Sequence, residues 1–230
     1  MYKITLLLTV SVFLPLCILV SGCSEKKQEE QIETQAKVSI ITPQEKMPLW
    51  NGKDFTGWKL FIPDESVDVN TVWSVKDGVI HCTGVPPGYM RTEHDYKDYK
   101  LTLEWRWVED PGNSGVLLHM SGPDMVWPKS IEAQLMAENA GDIWLIGGTE
   151  IKEHIDKSER RIVKYEESSE KEPGQWNKYD IFCKGNTIEL YVNGVLQNIG
   201  TEASVTNGKI CLQSEGKPIQ FRNLYLEPLQ

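Results

Sequence analysis

The chain has 230 residues, 40% of them hydrophobic and 25% charged, with 33 acidic against 24 basic residues and a formal charge of −9. That balance argues against nucleic acid as a partner, since phosphate backbones are held by clustered Lys and Arg. The length suits one domain with a two-layer core.

The first feature in chain order is an apolar stretch from Ile4 to Val20, preceded by Lys3 and closed by Val20-Ser21-Gly22-Cys23. A short basic start, an apolar centre broken by Pro15 and small residues before a cysteine make a lipoprotein signal, a lipobox. A transmembrane anchor of about 20 apolar residues is the competing reading, but the small residues and the polar run after Cys23 favour cleavage. Residues 1–22 are then lost, and Cys23 becomes a lipidated N-terminus that anchors the protein to an envelope membrane. Ser24 in place of an Asp retention signal favours the outer membrane, facing either periplasm or medium. Lys3 is the only charge lost with the signal, so the mature formal charge is about −10. Residues 24–46 hold no aromatic and few large apolar groups, so they cannot offset chain entropy by burial. They read as a tether, with the folded domain expected over 47–230.

From Trp73 the pattern has a period of two. Trp73-Ser-Val-Lys, the dipeptide Asp77-Gly78 and Val79-Ile-His-Cys predict a tight hairpin, because Asp-Gly supplies the positive φ values such a turn needs. Tyr99 to Trp107 alternates strictly, with Leu101, Leu103 and Trp105 on one face and Thr102, Glu104 and Arg106 on the other. Gly112-Asn113-Ser114-Gly115-Val116-Leu117-Leu118-His119-Met120 reads as a loop entering a strand, with Asn113 and His119 on the parity of Leu117. In the run Ile131 to Met136, Glu132 and Gln134 share the face opposite Ile131, Ala133 and Leu135.

The alternation lapses between Ala137 and Gln175, and Glu150 to Glu172 is densely charged. This long insertion reads as an excursion from the domain, with a short helix over Thr149 to Tyr165 as its one candidate element. Strand patterns resume around Asn193-Gly194 and after Asn207-Gly208, two more turn dipeptides. Ile210-Cys211-Leu212-Gln213-Ser214-Glu215 again sets Gln213 and Glu215 opposite its apolar face. The class is therefore all-β, and a two-sheet antiparallel sandwich suits strands of this length. Cys82, Cys183 and Cys211 lack metal-like spacing; one pair could bridge, or all three could be inert core thiols.

If sheet neighbours bring the polar faces together, Glu104, Arg106, His119, Glu132, Gln134, Gln213 and Glu215 would line one surface. Carboxylates, amides and guanidinium suit sugar hydroxyls, and Trp127 and Trp144, in irregular segments, are candidate stacking platforms. The bland readings are a solvated Glu/Gln face, a structural strand histidine and tryptophans that clamp loops to the core. There is no Gly-rich phosphate loop, no Cys/His zinc spacing and no Gly-x-Ser-x-Gly elbow.

Several ordered segments resemble the bacterial 3-keto-disaccharide hydrolase domain family, which has a concanavalin A-like jelly-roll fold. They are Pro48-Leu-Trp-Asn-Gly-Lys-Asp-Phe-Thr-Gly-Trp58, Trp73 to Ile80, Tyr96 to Arg106, Asn113-Ser-Gly-Val-Leu-Leu118, Glu132-Ala-Gln134, Gln175-Trp-Asn-Lys-Tyr179, Val192-Asn-Gly194, Gly208 to Gln213 and Phe221-Arg-Asn-Leu224. His119 stands where the family often has arginine, and Ser214-Glu215-Gly216 where many members have a histidine before the glycine, two departures that point to a different substrate or subfamily.

The resemblance implies cleavage of glycosides already oxidised at C3. The ketone acidifies the C2–H bond, a base removes that proton, the C1 substituent leaves, and water adds to the enone. This differs from the oxocarbenium route of ordinary glycosidases. On this basis Glu132 or His119 is the expected base, and Arg106 or a bound divalent cation the enolate stabiliser. Glu104 or Glu215 would be the acid, while Gln134, Gln213 and Asn113 hold hydroxyls. An upstream sugar C3-oxidoreductase would supply the substrate. A conventional glucanase is disfavoured, because Glu132-Ala-Gln134-Leu-Met-Ala137 lacks the later carboxylates of Glu-x-Asp-x-x-Glu. A non-catalytic carbohydrate-binding module remains the chief rival, and a scaffold presenting the acidic insertion to a protein partner a third.

Overall fold

A computed structural model describes residues 39–229. The lipobox, Cys23 and most of the expected tether lie outside the described residues. In chain order the strands are β1 (Ile40–Ile41), β2 (Met47–Pro48), β3 (Trp58–Phe61), β4 (Trp73–Lys76), β5 (Val79–Cys82), β6 (Gly88–Thr92), β7 (Asp95–Tyr96), β8 (Tyr99–Trp107) and β9 (Gly115–Ser121). They continue as β10 (Lys129–Gln134), β11 (Ile143–Ile146), β12 (Arg161–Ile162), β13 (Asn177–Lys184), β14 (Thr187–Val192), β15 (Val195–Gly200), β16 (Lys209–Ser214) and β17 (Ile219–Glu227). One 3-10 turn, Val69–Thr71, precedes β4.

Two antiparallel sheets form a concanavalin A-like jelly roll. The seven-stranded sheet runs β12-β11-β10-β9-β16-β6-β3, and the other runs β15-β14-β13-β8-β17-β5-β4 with β2 beside β17. Alternation explains the layering. β8 buries Leu101, Leu103, Trp105 and Trp107, and these meet Val116, Leu118, Ile131, Ala133, Ile210 and Leu212 of the facing sheet in one core. Trp105 is fully buried, so Trp105→Ala would cost about 3–5 kcal/mol.

The register of the seven-stranded sheet decides which side chains share its outer face. One row pairs Trp144 with Glu132, Glu132 with Leu117, Leu117 with Cys211 and Cys211 with Arg91. The next row pairs Gln134 with Gly115 and Gln213 with Tyr89. Polar groups thus sit at one end of that face and an apolar cluster of Tyr89, Leu117, Met120, Ile146 and Cys211 beside them.

Several expectations change. The Asp77-Gly78 and Asn193-Gly194 dipeptides do make hairpin turns, with φ of 52° and 78° in the first and 51° and 84° in the second. Asn207-Gly208 does not; Gly208 bridges Tyr96, with its Cα packed so closely on the His119 and Met120 backbone that no Cβ fits. No helix forms over 149–165. The charged insertion instead returns to the sandwich as edge strand β12, because Arg161 reaches the fully buried Asp142 at 2.6 Å and pairs with Trp144 across the ladder. The folded part begins before residue 47, since Ile40–Ile41 pairs with β7. All three described cysteines are free and buried.

Candidate functional site

A cavity of about 250 Å³ opens on the outer face of the seven-stranded sheet, lined by Asn113, Trp127, Glu132, Gln134, Trp144, Ile146, Arg160, Gln213 and Glu215. Its floor comes from the polar parity of β10 and β16, where the inward residues are apolar and Glu132, Gln134 and Gln213 must therefore face outward. Loop segments raise these residues into walls: Trp127 precedes β10, Asn113 precedes β9 and Glu215 follows β16. Asn113 forms bridges with Glu215 and Gly216, which ties the loop before β9 to the end of β16.

The floor is short of hydrogen-bond donors. Glu132 is 5% exposed and Gln213 1%, yet Glu132 Oε1, Gln213 Oε1 and Asn113 Oδ1 are buried without a donor. Glu132 Oε1 and Gln213 Oε1 both lie over Gly115, so near that a Cβ there would overlap them. Two facing acceptors are unfavourable unless the Gln213 amide turns its NH2 toward Glu132 or a proton on Glu132 bridges them.

Burial decides for the proton. It pushes the Glu132 carboxyl up to about 8, with the charge of Glu215 adding to the rise and Gln213 and Arg160 opposing it more weakly. Glu215, partly buried, is raised above the ordinary carboxylate range by desolvation, against a hydrogen bond from Asn113. Glu132 therefore keeps its proton near neutral pH. Gln134 Oε1 accepts from the backbone N–H groups of Leu135 and Met136 at 2.8 and 2.9 Å, which fixes the amide and leaves its NH2 to face a ligand.

Arg160 was not legible in the sequence. It comes from the charged insertion, where β12 and the Arg161–Asp142 ion pair fix the neighbouring backbone, and its guanidinium lies 5.8 Å from the Trp144 ring centre. Two adjacent arginines ahead of an isoleucine were the only trace of it.

Three residues expected here are elsewhere. Glu104 and Arg106 lie on β8, in the other sheet, and point away from the core on its far side. There Glu104 accepts from Arg222 at 2.6 Å, while Arg106 donates to Gln220 at 2.7 Å and stacks on Trp176. His119 fails for a different reason. Register shifts on both sides of β9 leave it one extra residue, and His119 sits there at φ 55°, a β-bulge that breaks the parity it shared with Leu117. Its ring packs edge-on against Tyr99 at 5.8 Å and its Nδ1 lies 3.2 Å from the Val205 carbonyl oxygen. Burial lowers it to about 4, so it is neutral.

A divalent cation is the remaining sequence expectation. Among the described residues no three His, Cys, Asp or Glu side chains cluster. The orphaned oxygens of Glu132, Gln213 and Asn113, with Glu215, make a hard-oxygen set that magnesium or calcium would accept, so these four residues would hold such an ion.

Residues 45–227 match the profile of the 3-keto-alpha-glucoside-1,2-lyase-like domain. No curated protein matches the chain. Among solved structures, a Parabacteroides distasonis protein provisionally described as a glycosyl hydrolase is similar, with 23% identity and a TM-score of 0.60 over 81% of this chain and 95% of that one. A Bacillus licheniformis beta-glucanase gives 13% identity and 0.53, over 80% and 97% of the two chains. A carbohydrate-binding module from Bacillus subtilis gives 11% and 0.53, over 76% and 97%. These likenesses establish the fold.

Proposed function

The chain belongs to the 3-keto-alpha-glucoside-1,2-lyase-like domain family, and on that footing we propose that it cleaves glycosides oxidised at C3 by elimination and hydration. The observation that carries the reading is one pocket holding two carboxylates of unequal acidity, Glu132 and Glu215, with orphaned amide oxygens around them. Unequal environments are how one site keeps an acid and a base together near pH 7.

The protonation order exchanges the roles expected from sequence. Glu215, the more acidic of the two, takes the C2 proton; the electrons move onto the C3 carbonyl oxygen, where the Arg160 guanidinium offsets the charge. As the enolate collapses the C1–O bond breaks, and Glu132 gives its proton to the departing oxygen. Water then adds at C1 of the enone, giving its proton to Glu132 while Glu215 returns its proton to C2, so the net reaction is hydrolysis; release before that step would make it a lyase. Hydroxyls of the sugar supply the donors that Gln213 Oε1 and Asn113 Oδ1 lack, while the NH2 of Gln134 serves a hydroxyl as acceptor. Gly115 has no Cβ, which leaves room for the Glu132 and Gln213 oxygens to meet over it at the floor. A divalent cation bound by the same four oxygens would displace the Glu132 proton and would supply Lewis-acid stabilisation of the enolate in its place.

Incubating the protein with an aryl 3-keto-glucoside and following release of the phenol tests this. Release that disappears in Glu215→Gln and Glu132→Gln supports it; binding without release, with or without added divalent cation, would make the protein a carbohydrate-binding module. If Cys23 is lipidated as the sequence leads one to expect, the catalyst sits at the outer membrane and takes its substrate from an enzyme that oxidises sugars at C3.

A further inference from the structure

Glycosides have two halves, and the cavity of about 250 Å³ is smaller than the ~300–1,000 Å³ that encloses a drug-sized ligand. It takes one ring. The leaving half must rest on whatever stands beside it, and one lining residue, Trp127, comes from the loop between β9 and β10, Gly122-Pro123-Asp124-Met125-Val126-Trp127-Pro128.

That loop is pinned at its centre. Asp124 accepts from Arg91 Nε at 2.7 Å and Nη2 at 3.1 Å, from Lys59 Nζ at 2.7 Å and from Tyr89 OH at 3.0 Å. The Tyr89 oxygen in turn accepts from the Met125 N–H at 3.3 Å. At the far end Ser130 donates to the Pro128 carbonyl at 2.9 Å. A wall held this firmly nevertheless leaves two large apolar side chains in water, Met125 52% and Trp127 36% exposed.

Its polarity is one-sided. Asp124 is the only charged residue of the seven, and both its oxygens are committed inward. Met125, Val126, Trp127 and two prolines remain, with the indole N–H as the single side-chain donor. Such a surface has little to offer the hydroxyls of a second sugar and suits a flat apolar group, which stacks on indole and thioether.

We infer that residues 122–128 form a fixed aglycone subsite that selects phenol-type or other flat apolar leaving groups, with Trp127 and Met125 in contact and Asp124 as its positioning residue. This rests on the glycoside-cleaving reading of the adjoining pocket. The subsite exploits rigidity, because a platform already ordered loses little freedom when a ring settles on it.

Two measurements test it. The first compares kcat/KM for an aryl, a methyl and a glucosyl 3-keto-glucoside. The wild type should prefer the aryl substrate over both others, and Trp127→Ala should cut the aryl-to-methyl ratio about tenfold. Asp124→Asn should lower the same ratio by less, with the loss in KM, and Trp127→Phe should recover most of it. The second is titration of the wild type and of Trp127→Phe with unoxidised phenyl glucoside, followed by tryptophan fluorescence, which needs no turnover. Quenching that weakens in Trp127→Phe supports the subsite even if no 3-keto substrate is cleaved, an outcome that would count against the pocket chemistry alone. A preference for the glucosyl substrate, a Trp127→Ala loss equal on all three, or a titration with no quenching would overturn the subsite.

Discussion

Two carboxylates lie over the outer face of the same sheet, Asp124 from the β9–β10 loop and Glu132 from β10, and have opposite fates. Asp124 meets four donor atoms from Arg91, Lys59 and Tyr89, and the Arg91 guanidinium foremost holds its carboxyl well below the ordinary range. Glu132, in the row that runs through Arg91, has one oxygen with no donor at all and is pushed up to about 8 by burial. The difference separates a group used for architecture, satisfied within the protein, from one left for a ligand to complete.

The largest effect expected from breaking this contrast is chemical. Glu132→Gln keeps shape and polarity but cannot give a proton, so turnover of a 3-keto-glucoside should fall about 10²–10⁴-fold, the range for loss of a general acid, as measured by kcat. Next comes architecture: Asp124→Ala leaves the largely buried Arg91 without its acceptor, while Lys59 is exposed, and should lower unfolding free energy by about 2–3 kcal/mol, read from the urea midpoint. Gly115→Ala, whose Cβ would meet Glu132 and Gln213, should raise KM about tenfold or more by displacing the floor.

A smaller effect concerns stability and has a definite sign. The folded protein keeps a proton on Glu132 that the unfolded chain, with an ordinary value of 4.5, releases. Ionisable Glu132 therefore makes the fold less stable as pH rises from 4.5 to about 8. Glu132→Gln should match the wild type in Tm near pH 4 and exceed it by several degrees at pH 8. The smallest effect belongs to the opposite sheet: Glu104→Gln loses one half-exposed ion pair with Arg222, worth about 0.5 kcal/mol, and should leave turnover at the wild-type level.

How far the sequence carried follows from which rules are local. Alternation placed Glu132, Gln134 and Gln213 opposite the core face, and adjacent loops supplied Asn113, Glu215 and Trp127 to one cavity, while Trp144, expected in an irregular segment, comes from strand β11. Sheet membership is not local: nothing in Tyr99 to Trp107 says that its polar face looks away from β10, so Glu104 and Arg106 were grouped with groups on the far side of the sandwich. One inserted residue in β9 turned His119 from the parity it shares with Leu117, and a bulge leaves no clear signature in Leu118-His119-Met120. Arg160 escaped because a two-residue strand has no periodicity to read, and its placement depends on Arg161 finding Asp142 nineteen residues back.

The central claim is that Glu132 holds the working proton, and the pH dependence of kcat/KM for an aryl 3-keto-glucoside measures it most directly. The account predicts a profile that falls as pH rises through about 8 in the wild type, with no such alkaline limb in the residual activity of Glu132→Gln. A profile that climbs through pH 8, or full turnover by Glu132→Gln, would contradict it.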